Sequence, residues 1–108
     1  QRVAVPKEDF AGAVDYDVDP GGDFQLIDVI LTWDVAATTS EEIEIFSIRE
    51  SVKIIEEKYD PSLSSELQHR FRFDKRFDHG VTYGVDYTNT DTNNIDVYST
   101  YQLDPSVT

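Results

Sequence analysis

A short acidic run, residues 15–23, is the stretch whose side chains and spacing could do chemistry. Its carboxylates are Asp15, Asp17, Asp19 and Asp23. Carboxylate oxygens at alternate positions before a glycine turn are typical of calcium loops, where they wrap one hard cation. The sixth and twelfth positions, Gly and Glu in an EF-hand, are Pro20 and Leu26 here. The run therefore predicts either a calcium site with two ligands missing or a solvated acidic strand face that ends in a turn.

Other catalytic side chains are few. His69 and His79 are the only histidines, and their spacing is not that of a metal site. Asp86 and Asp96 could act as a carboxylate pair only if they converged in a cleft, whereas strand alternation places both among outward polar residues. The chain has no cysteine and none of the hydrolase, metalloprotease or nucleotide-binding motifs. We therefore expect a protein that is not an enzyme and that, calcium aside, needs no cofactor.

Four cationic side chains are concentrated in one predicted strand and the turn after it. They are Arg70, Arg72, Lys75 and Arg76. Complementary potentials orient partners and speed their encounter. One hypothesis is therefore that this basic strand contacts an acidic strand of a neighbouring copy or of a surface below. The acidic residues proposed for that contact are Glu41, Glu42 and Glu44. The alternative is ion pairing with acidic strands of the same sheet.

The composition limits the partners further. With 22 Asp and Glu against nine Lys and Arg, the net charge is −13. Such a surface repels phosphates, so we expect no nucleic-acid binding. The sequence has no run of about 18 apolar residues and no signal-peptide pattern, so we expect neither a membrane span nor export. A length of 108 residues is that of one domain.

Short strands are the elements that would position these side chains. Apolar and polar residues alternate in seven or eight segments separated by turn residues, and no period of 3.6 residues persists. This pattern predicts an all-β fold, an antiparallel β-sandwich of the jelly-roll or immunoglobulin-like kind. The predicted organisation is an N-terminal arm or edge strand at 1–10, a sandwich domain at 11–103 and a C-terminal tail at 104–108.

The clearest alternation closes the chain. Alternating segments on both sides of a polar interval, 89–94, predict a long β-hairpin over 80–101. The strongest single strand is 24–34, with one face predicted to hold Ile27, Val29, Leu31 and Trp33, and the other Leu26 and Ile30. A change of phase at Phe46 predicts a β-bulge inside the fourth strand.

The aromatic side chains raise a second possible function. A flat aromatic face exposed on a β-sandwich can stack on a sugar ring. Trp33 shares its predicted face with apolar residues, so we expect it in the core. Tyr98, on the face opposite Val97, is the better candidate for exposure.

Three segments resemble small β-sandwich proteins of tailed bacteriophages that are grouped with the virion components. The segments are Leu31-Thr32-Trp33 with 39–45, then 72–77, then 80–91. The resemblance implies a non-enzymatic capsid decoration, or cement, protein that stabilises the phage head by bridging capsid subunits. It also implies that the partners are the major capsid protein and copies of the chain, as a homotrimer. The implied location is the capsid surface, with the host cytoplasm during assembly.

In that setting the sequence predicts two contact regions, the basic strand and the N-terminal arm. The arm residues proposed for contact are Val3, Val5 and Phe10. An arm that is disordered alone can order on a partner and bury extra area there. The alternative function is a carbohydrate- or receptor-binding module of a phage fibre or tail.

Overall fold

The computed structural model describes residues 1–104 and contains eight strands and one 3₁₀ turn, Pro61–Leu63. The strands are β1 Arg2–Ala11, β2 Val14–Val18, β3 Phe24–Trp33, β4 Ile43–Arg49, β5 Val52–Tyr59, β6 Gln68–Phe77, β7 Thr82–Tyr87 and β8 Asn94–Leu103. The predicted all-β fold is therefore confirmed. The predicted tail lies, apart from Asp104, outside the described residues.

The strands form two antiparallel sheets of four. The front sheet has the order β1-β8-β3-β6, and the back sheet has the order β2-β7-β4-β5. Of the seven connections between successive strands, only the one from β4 to β5 stays within a sheet. The other six pass from one sheet to the other, which is the jelly-roll arrangement. The prediction of an antiparallel sandwich is confirmed, and its jelly-roll form is the one observed.

The predicted hairpin over 80–101 is wrong in its pairing. Both strands exist, but β7 pairs with β2 and β4 in the back sheet, whereas β8 pairs with β1 and β3 in the front sheet. The two strands face each other across the core instead of sharing a ladder. Both alternations are satisfied, because each strand turns its apolar side inward from its own sheet.

The loop between β7 and β8 is held away from a hairpin turn by bonds to other loops. Both carboxylate oxygens of Asp91 accept hydrogen bonds, from the Thr38 amide at 2.9 Å and from the Thr39 hydroxyl at 2.6 Å. The Asn89 side-chain amide donates to the Gly12 carbonyl at 3.0 Å, and that of Asn93 donates to the Val35 carbonyl at 3.1 Å. The loop is thus attached to the β1–β2 and β3–β4 connections.

The core lies between the inner faces of the two sheets. Its largest fully buried side chains include Tyr16, Tyr83, Tyr87, Phe24, Phe71, Leu26 and Leu31. Ser99 of β8 is buried among them, and its hydroxyl lies 2.7 Å from the hydroxyls of both Tyr16 and Tyr83. Ser99 therefore joins the front sheet to two strands of the back sheet.

Two bulges set which side chains face inward. In β3 the extra residue is Ile27, because Leu26 and Asp28 oppose consecutive residues of β8. The bulge brings Leu26 into the core and leaves Ile27 half-buried, so the predicted assignment of these two residues is reversed. In the β4–β5 pair the extra residue is Glu56, so the bulge predicted near Phe46 exists but belongs to the partner strand.

Phe46 is buried on the outer face of the back sheet, against a glycine. A Cβ atom on Gly84 would lie 2.7 Å from Phe46 Cζ and 2.1 Å from the Tyr16 carbonyl oxygen. The ring occupies the space that a side chain at 84 would need. This contact explains how an outward aromatic residue in β4 is only 6% exposed.

Residues 2–11 form an edge strand, the second of the two forms predicted for the N-terminus. β1 pairs along its length with β8, with a register shift between Val5 and Glu8. Val5 and Phe10 pack against the core, and Val3 is half-buried. These three side chains are therefore part of the front sheet, and β1 is not a free arm that presents them to a partner.

The Ser99 bridge predicts a stability loss on substitution. Ser99→Ala removes the hydroxyl that both buried tyrosines contact, and a buried polar group left without a partner costs about 1–3 kcal/mol. We expect the free energy of unfolding in urea to fall by that amount with an unchanged m-value. Ser65→Ala, in an exposed loop, is the matched control and should leave stability unchanged. Equal midpoints for the two variants would contradict the role assigned to Ser99.

The Asp91 contacts predict a pH dependence. Bonds from the Thr39 hydroxyl and the Thr38 amide lower the pKa of Asp91 to about 2, from 3.8 in its ordinary state. A carboxyl group with a lower pKa in the folded state stabilises that state above its ordinary pKa and loses the effect as pH falls toward the folded value. We expect Asp91→Asn to lower the melting temperature at pH 7, with the difference from wild type shrinking between pH 4 and pH 2.

The control for this pH series is Asp78→Asn, which removes an exposed ion pair with Arg49. Exposed pairs contribute little to stability, so this variant should melt like wild type at neutral pH. A melting difference for Asp91→Asn that stays constant down to pH 2 would show that its effect does not come from the ionised carboxylate.

Candidate functional site

The four carboxylates of the acidic run do not converge. Asp15 and Asp17 lie on the exposed face of β2, whereas Asp19 accepts a hydrogen bond from the Gly21 amide at 3.0 Å and Asp23 accepts one from the His79 amide. Within residues 1–104, no group of three or more His, Cys, Asp or Glu side chains could hold a metal ion. Asp19 and Asp23 stabilise turns, and Asp15 and Asp17 form an exposed acidic face of β2.

On the outer face of the back sheet, acidic side chains surround Lys53. Lys53 Nζ lies 3.0 Å from Asp86 and 3.2 Å from Glu44, and 4.5 Å from the centre of the Phe46 ring. The hydrogen bond to Asp86 is the largest cause of the raised pKa of Lys53. Burial, followed by the neighbouring Asp15, raises the pKa of Asp17. Glu44, one of the residues proposed for an intermolecular contact, is therefore engaged within its own sheet.

The other two acidic residues proposed for contact differ in their environment. Glu41 accepts hydrogen bonds from the backbone amide of Thr90 at 2.9 Å and from its hydroxyl at 3.0 Å. Glu42 is exposed. Of the three, only Glu42 has no hydrogen bond or ion pair among the described residues.

Most of the basic strand is paired within the molecule. Arg70 bonds the buried Asp28 at 2.9 Å, Lys75 contacts Glu56, and Arg76 contacts Asp104. Arg72 has no ion pair among the described residues. All three pairs are intramolecular, but only Arg70–Asp28 joins neighbouring strands of one sheet, as the alternative predicted, because Glu56 is in the back sheet and Asp104 follows β8. Arg72 is the cation whose charge faces solvent without a bonded acid.

His69 belongs to a cluster that closes the connection between β5 and β6. Its ring stacks on Tyr59 with centroids 4.0 Å apart, and its Nδ1 lies 2.6 Å from Glu66 Oε1. Tyr59 also donates to Glu66, and this bond is the largest cause of the lowered pKa of Glu66. The cluster fixes the loop geometry. His79 lies exposed in the turn before β7.

The carboxylate pair that an enzyme would need is separated by the sandwich. Asp86 lies on the outer face of the back sheet beside Lys53. Asp96 is in β8, where it opposes Thr32 on the outer face of the front sheet. Because the two carboxylates face away from each other on opposite sheets, they cannot act on one substrate.

Two shallow grooves lie side by side on the outer face of the front sheet. The first, about 330 Å³, is lined by Val5, Lys7, Thr32, Asp96 and Tyr98. The second, about 320 Å³, is lined by Asp9, Thr32, Trp33, Asp34, Asn94 and Asp96. Because Thr32 and Asp96 line both, the two form one continuous depression, which we call the front groove.

The large exposed apolar side chains are concentrated elsewhere. Among residues 1–104, five of the six lie between residues 52 and 67, and they are Val52, Ile54, Ile55, Leu63 and Leu67. They are between 38% and 85% exposed; the sixth, Val35, is 60% exposed and lies after β3. These five residues lie in β5 and in its connection to β6. On this side of the sandwich, β5 is the edge strand of the back sheet and β6 is the edge strand of the front sheet. We call this side the β5–β6 flank.

Neither the front groove nor the β5–β6 flank could be predicted as one surface from the sequence. The residues of the front groove come from three strands that are neighbours only in space, although Tyr98 was expected on an outer face. The apolar residues of β5 alternate imperfectly because of the bulge at Glu56. Their presence on an edge strand could have been suspected only if the strand order had been known.

Comparison with known proteins addresses the fold. No protein-family model matches the chain, and no curated protein sequence is similar to it. A mitogen from Yersinia pseudotuberculosis has a similar structure, with a TM-score of 0.55 and 6% identity over 97% of this chain and 87% of that chain. The nucleoplasmin-like N-terminal domain of Drosophila FKBP39 matches with a TM-score of 0.41 and 12% identity over 96% and 87%. At 6% identity the likeness to the mitogen concerns the fold alone.

No helix among residues 1–104 is long and apolar enough to cross a membrane.

Proposed function

We propose that this protein is a non-enzymatic structural protein that acts by docking its β5–β6 flank on another protein, in the first place on a further copy of itself. The observation that carries the proposal is the concentration of exposed apolar side chains on that flank. Large apolar side chains that a monomer leaves exposed on one side are candidates for a protein contact. A cleft of about 280 Å³ opens beside it, and its lining includes Ile54, Phe77 and Val81.

The distribution of charge favours the same flank. Residues 49–76 contain seven of the nine Lys and Arg against six Asp and Glu, so this part of the chain is nearly neutral. The remaining residues contain two cations and 16 acids. Two copies of so acidic a protein repel each other where their acidic surfaces meet. The nearly neutral flank is the surface to which an acidic neighbour can bind with the least repulsion.

The opposite side of the sandwich is the complement that a second copy offers. β1 and β2 are the other two edges of the sheets, and Asp15 and Asp17 are exposed on β2. A contact between the flank of one copy and this acidic side of the next is head-to-tail. Contacts of that kind close into rings when the rotation allows. A homotrimer is the smallest such ring.

The docking proposed here uses side chains, not the free edge of β5. The edge has a bulge at Glu56 and exposed charges at Lys53, Glu57 and Lys58. Bulges and charges on an edge strand discourage another strand from pairing with it. The contact is therefore between surfaces and does not extend the sheet.

The resemblance to small virion proteins of tailed phages supplies the setting of the proposal. In that setting the assembled protein would decorate a capsid and bridge its subunits, with the major capsid protein as the second partner. Rings of head-to-tail copies suit such a role, because a symmetric shell presents repeated sites. The phage setting rests on that resemblance alone.

The first test changes apolar residues of the flank. In Val52→Lys/Leu67→Lys, two cations interrupt the apolar strip, and we expect the oligomer to dissociate to monomers in sedimentation velocity. Val35→Lys is the matched control, because Val35 is as exposed as Val52 but lies away from the flank. The control should sediment as wild type does. A wild-type protein that is monomeric at every concentration, or two variants that behave alike, would overturn the proposal.

The second test separates the basic residues by their partners. Arg72→Glu should weaken self-association several-fold and reduce its sensitivity to salt, with an unchanged melting temperature, because Arg72 has no ion pair among the described residues. Arg70→Glu should instead lower the stability of the fold by about 1–3 kcal/mol, because it leaves the buried Asp28 carboxylate unpaired. Association unaffected by Arg72→Glu would remove this residue from the interface.

A further inference from the structure

We propose that the front groove is a binding site for a neutral carbohydrate, separate from the β5–β6 flank. The groove lies on the outer face of the front sheet and is lined by residues of β1, β3 and β8 and by Asp34, which follows β3. The strand of that sheet that belongs to the flank is β6, and it contributes no residue to the lining. The two surfaces can therefore be tested independently.

The wall of the groove comes from an irregularity of β1. Between Val5 and Glu8, β1 advances by three residues while β8 advances by two, from Ser99 to Val97. The extra residue bends the edge strand, as bulges do where they redirect a side chain. Lys7 Nζ thereby lies 3.5 Å from Asp96 Oδ2, at the boundary of the two grooves.

The lining has the composition of a polyol site. Tyr98 is a half-buried aromatic side chain on an outer face, and it can pack against the C–H face of a sugar ring. The hydroxyl of Thr32, the carboxylate of Asp96 and the ammonium of Lys7 supply acceptors and donors for sugar hydroxyls. A site with one apolar platform and a few polar groups that fix orientation is the usual form of a small-molecule site.

The second half of the groove extends this arrangement. Asp9, Asp34 and Asn94 line it, and Asp34 Oδ1 accepts a hydrogen bond from the Asn94 amide at 2.8 Å. Trp33 borders this half from β3, with its side chain buried in the core. Each half has a volume of about 320–330 Å³, near the lower bound for ligand pockets, so the whole groove suits a chain of linked sugars.

Charge selects among sugars. Three aspartates line the groove against one lysine, and the whole protein has a charge of −13. Sialylated, uronic-acid or phosphorylated glycans would bring further negative charge to this surface, at an electrostatic cost. The geometry therefore points to a glycan without acidic groups.

The experiment is a glycan array followed by a titration of the full chain. The array presents neutral and acidic oligosaccharides, and we expect binding to neutral members only. A neutral oligosaccharide that scores on the array is then titrated into the full chain by isothermal titration calorimetry, and we expect saturable binding. Absence of binding to every neutral glycan, or binding restricted to acidic ones, would overturn the proposal.

Substitutions locate the binding. Tyr98→Ala should weaken the titrated affinity at least about tenfold, which corresponds to about 1.4 kcal/mol, whereas Tyr98→Phe keeps the ring and should bind within a few-fold of wild type. Asp96→Asn should also weaken binding. Thr100→Ala is the matched control, because Thr100 is on the same strand and does not line the groove.

Two outcomes of these titrations are decisive. Affinity that is equal for wild type and Tyr98→Ala, with both folded by their melting temperatures, would place the sugar elsewhere and refute the site. Loss of binding in Val52→Lys/Leu67→Lys together with full binding in Tyr98→Ala would assign the sugar to the β5–β6 flank and would also refute it. Sugar binding that survives dissociation of the oligomer would support the front groove whatever becomes of the docking proposal.

Discussion

The sandwich depends on one strand, β8, that is part of one sheet and is hydrogen-bonded through a side chain to the other. β8 lies between β1 and β3 in the front sheet, and its buried Ser99 hydroxyl reaches both Tyr16 and Tyr83 of the back sheet. Tyrosine hydroxyls in a core usually have hydrogen-bond partners, and a single serine provides one for both Tyr16 and Tyr83. Burial raises the pKa of Tyr16 to about 12 and that of Tyr83 further, so both hydroxyls stay protonated and able to donate. The spacing of the sheets is thereby tied to one polar contact among apolar side chains.

The same strand explains where binding surfaces can arise. With its inward residues committed to the core, β8 presents Asp96 and Tyr98 outward in the middle of a sheet, where strands on both sides supply further groups. The β5–β6 flank has the opposite origin, because each of its strands has only one neighbour. The centre of the front sheet thus offers a shaped polar depression, whereas the flank offers an extended apolar strip.

Sequence patterns predicted the strands well because alternation depends only on near neighbours. Val14, Tyr16 and Val18 alternate with aspartates and face inward. Pairing was harder. The segment 80–101 has the composition of a hairpin, yet its loop is bonded to Thr38 and Thr39, which are remote in sequence. The connection that does form a hairpin is Glu50-Ser51. Both residues have positive φ angles, but neither is the glycine or asparagine from which such a turn is usually predicted.

The candidate sites were less accessible to sequence reasoning for the same reason. The basic window around Arg70 suggested an interface, but its acids, Asp28 and Asp104, come from other parts of the chain. The front groove joins Lys7, Thr32 and Asp96 only through the register of three strands. Charge counts and aromatic positions suggested candidate surfaces, and the strand order was needed to see which side chains lie together.

The jelly-roll connectivity also governs how the chain reaches its folded state. Only β4 and β5 are joined by a tight turn within one sheet, so this hairpin is the one element that can form from local contacts alone. Every other ladder closes a long loop, and folds dominated by such distant pairings acquire their structure slowly, in milliseconds to seconds. During synthesis β1 and β3 emerge before β8, which is the last of the eight described strands and lies between them in the front sheet. Until β8 emerges, β1 and β3 have no strand between them in the front sheet. This interval is therefore the period in which the chain is most exposed to aggregation and chaperone binding.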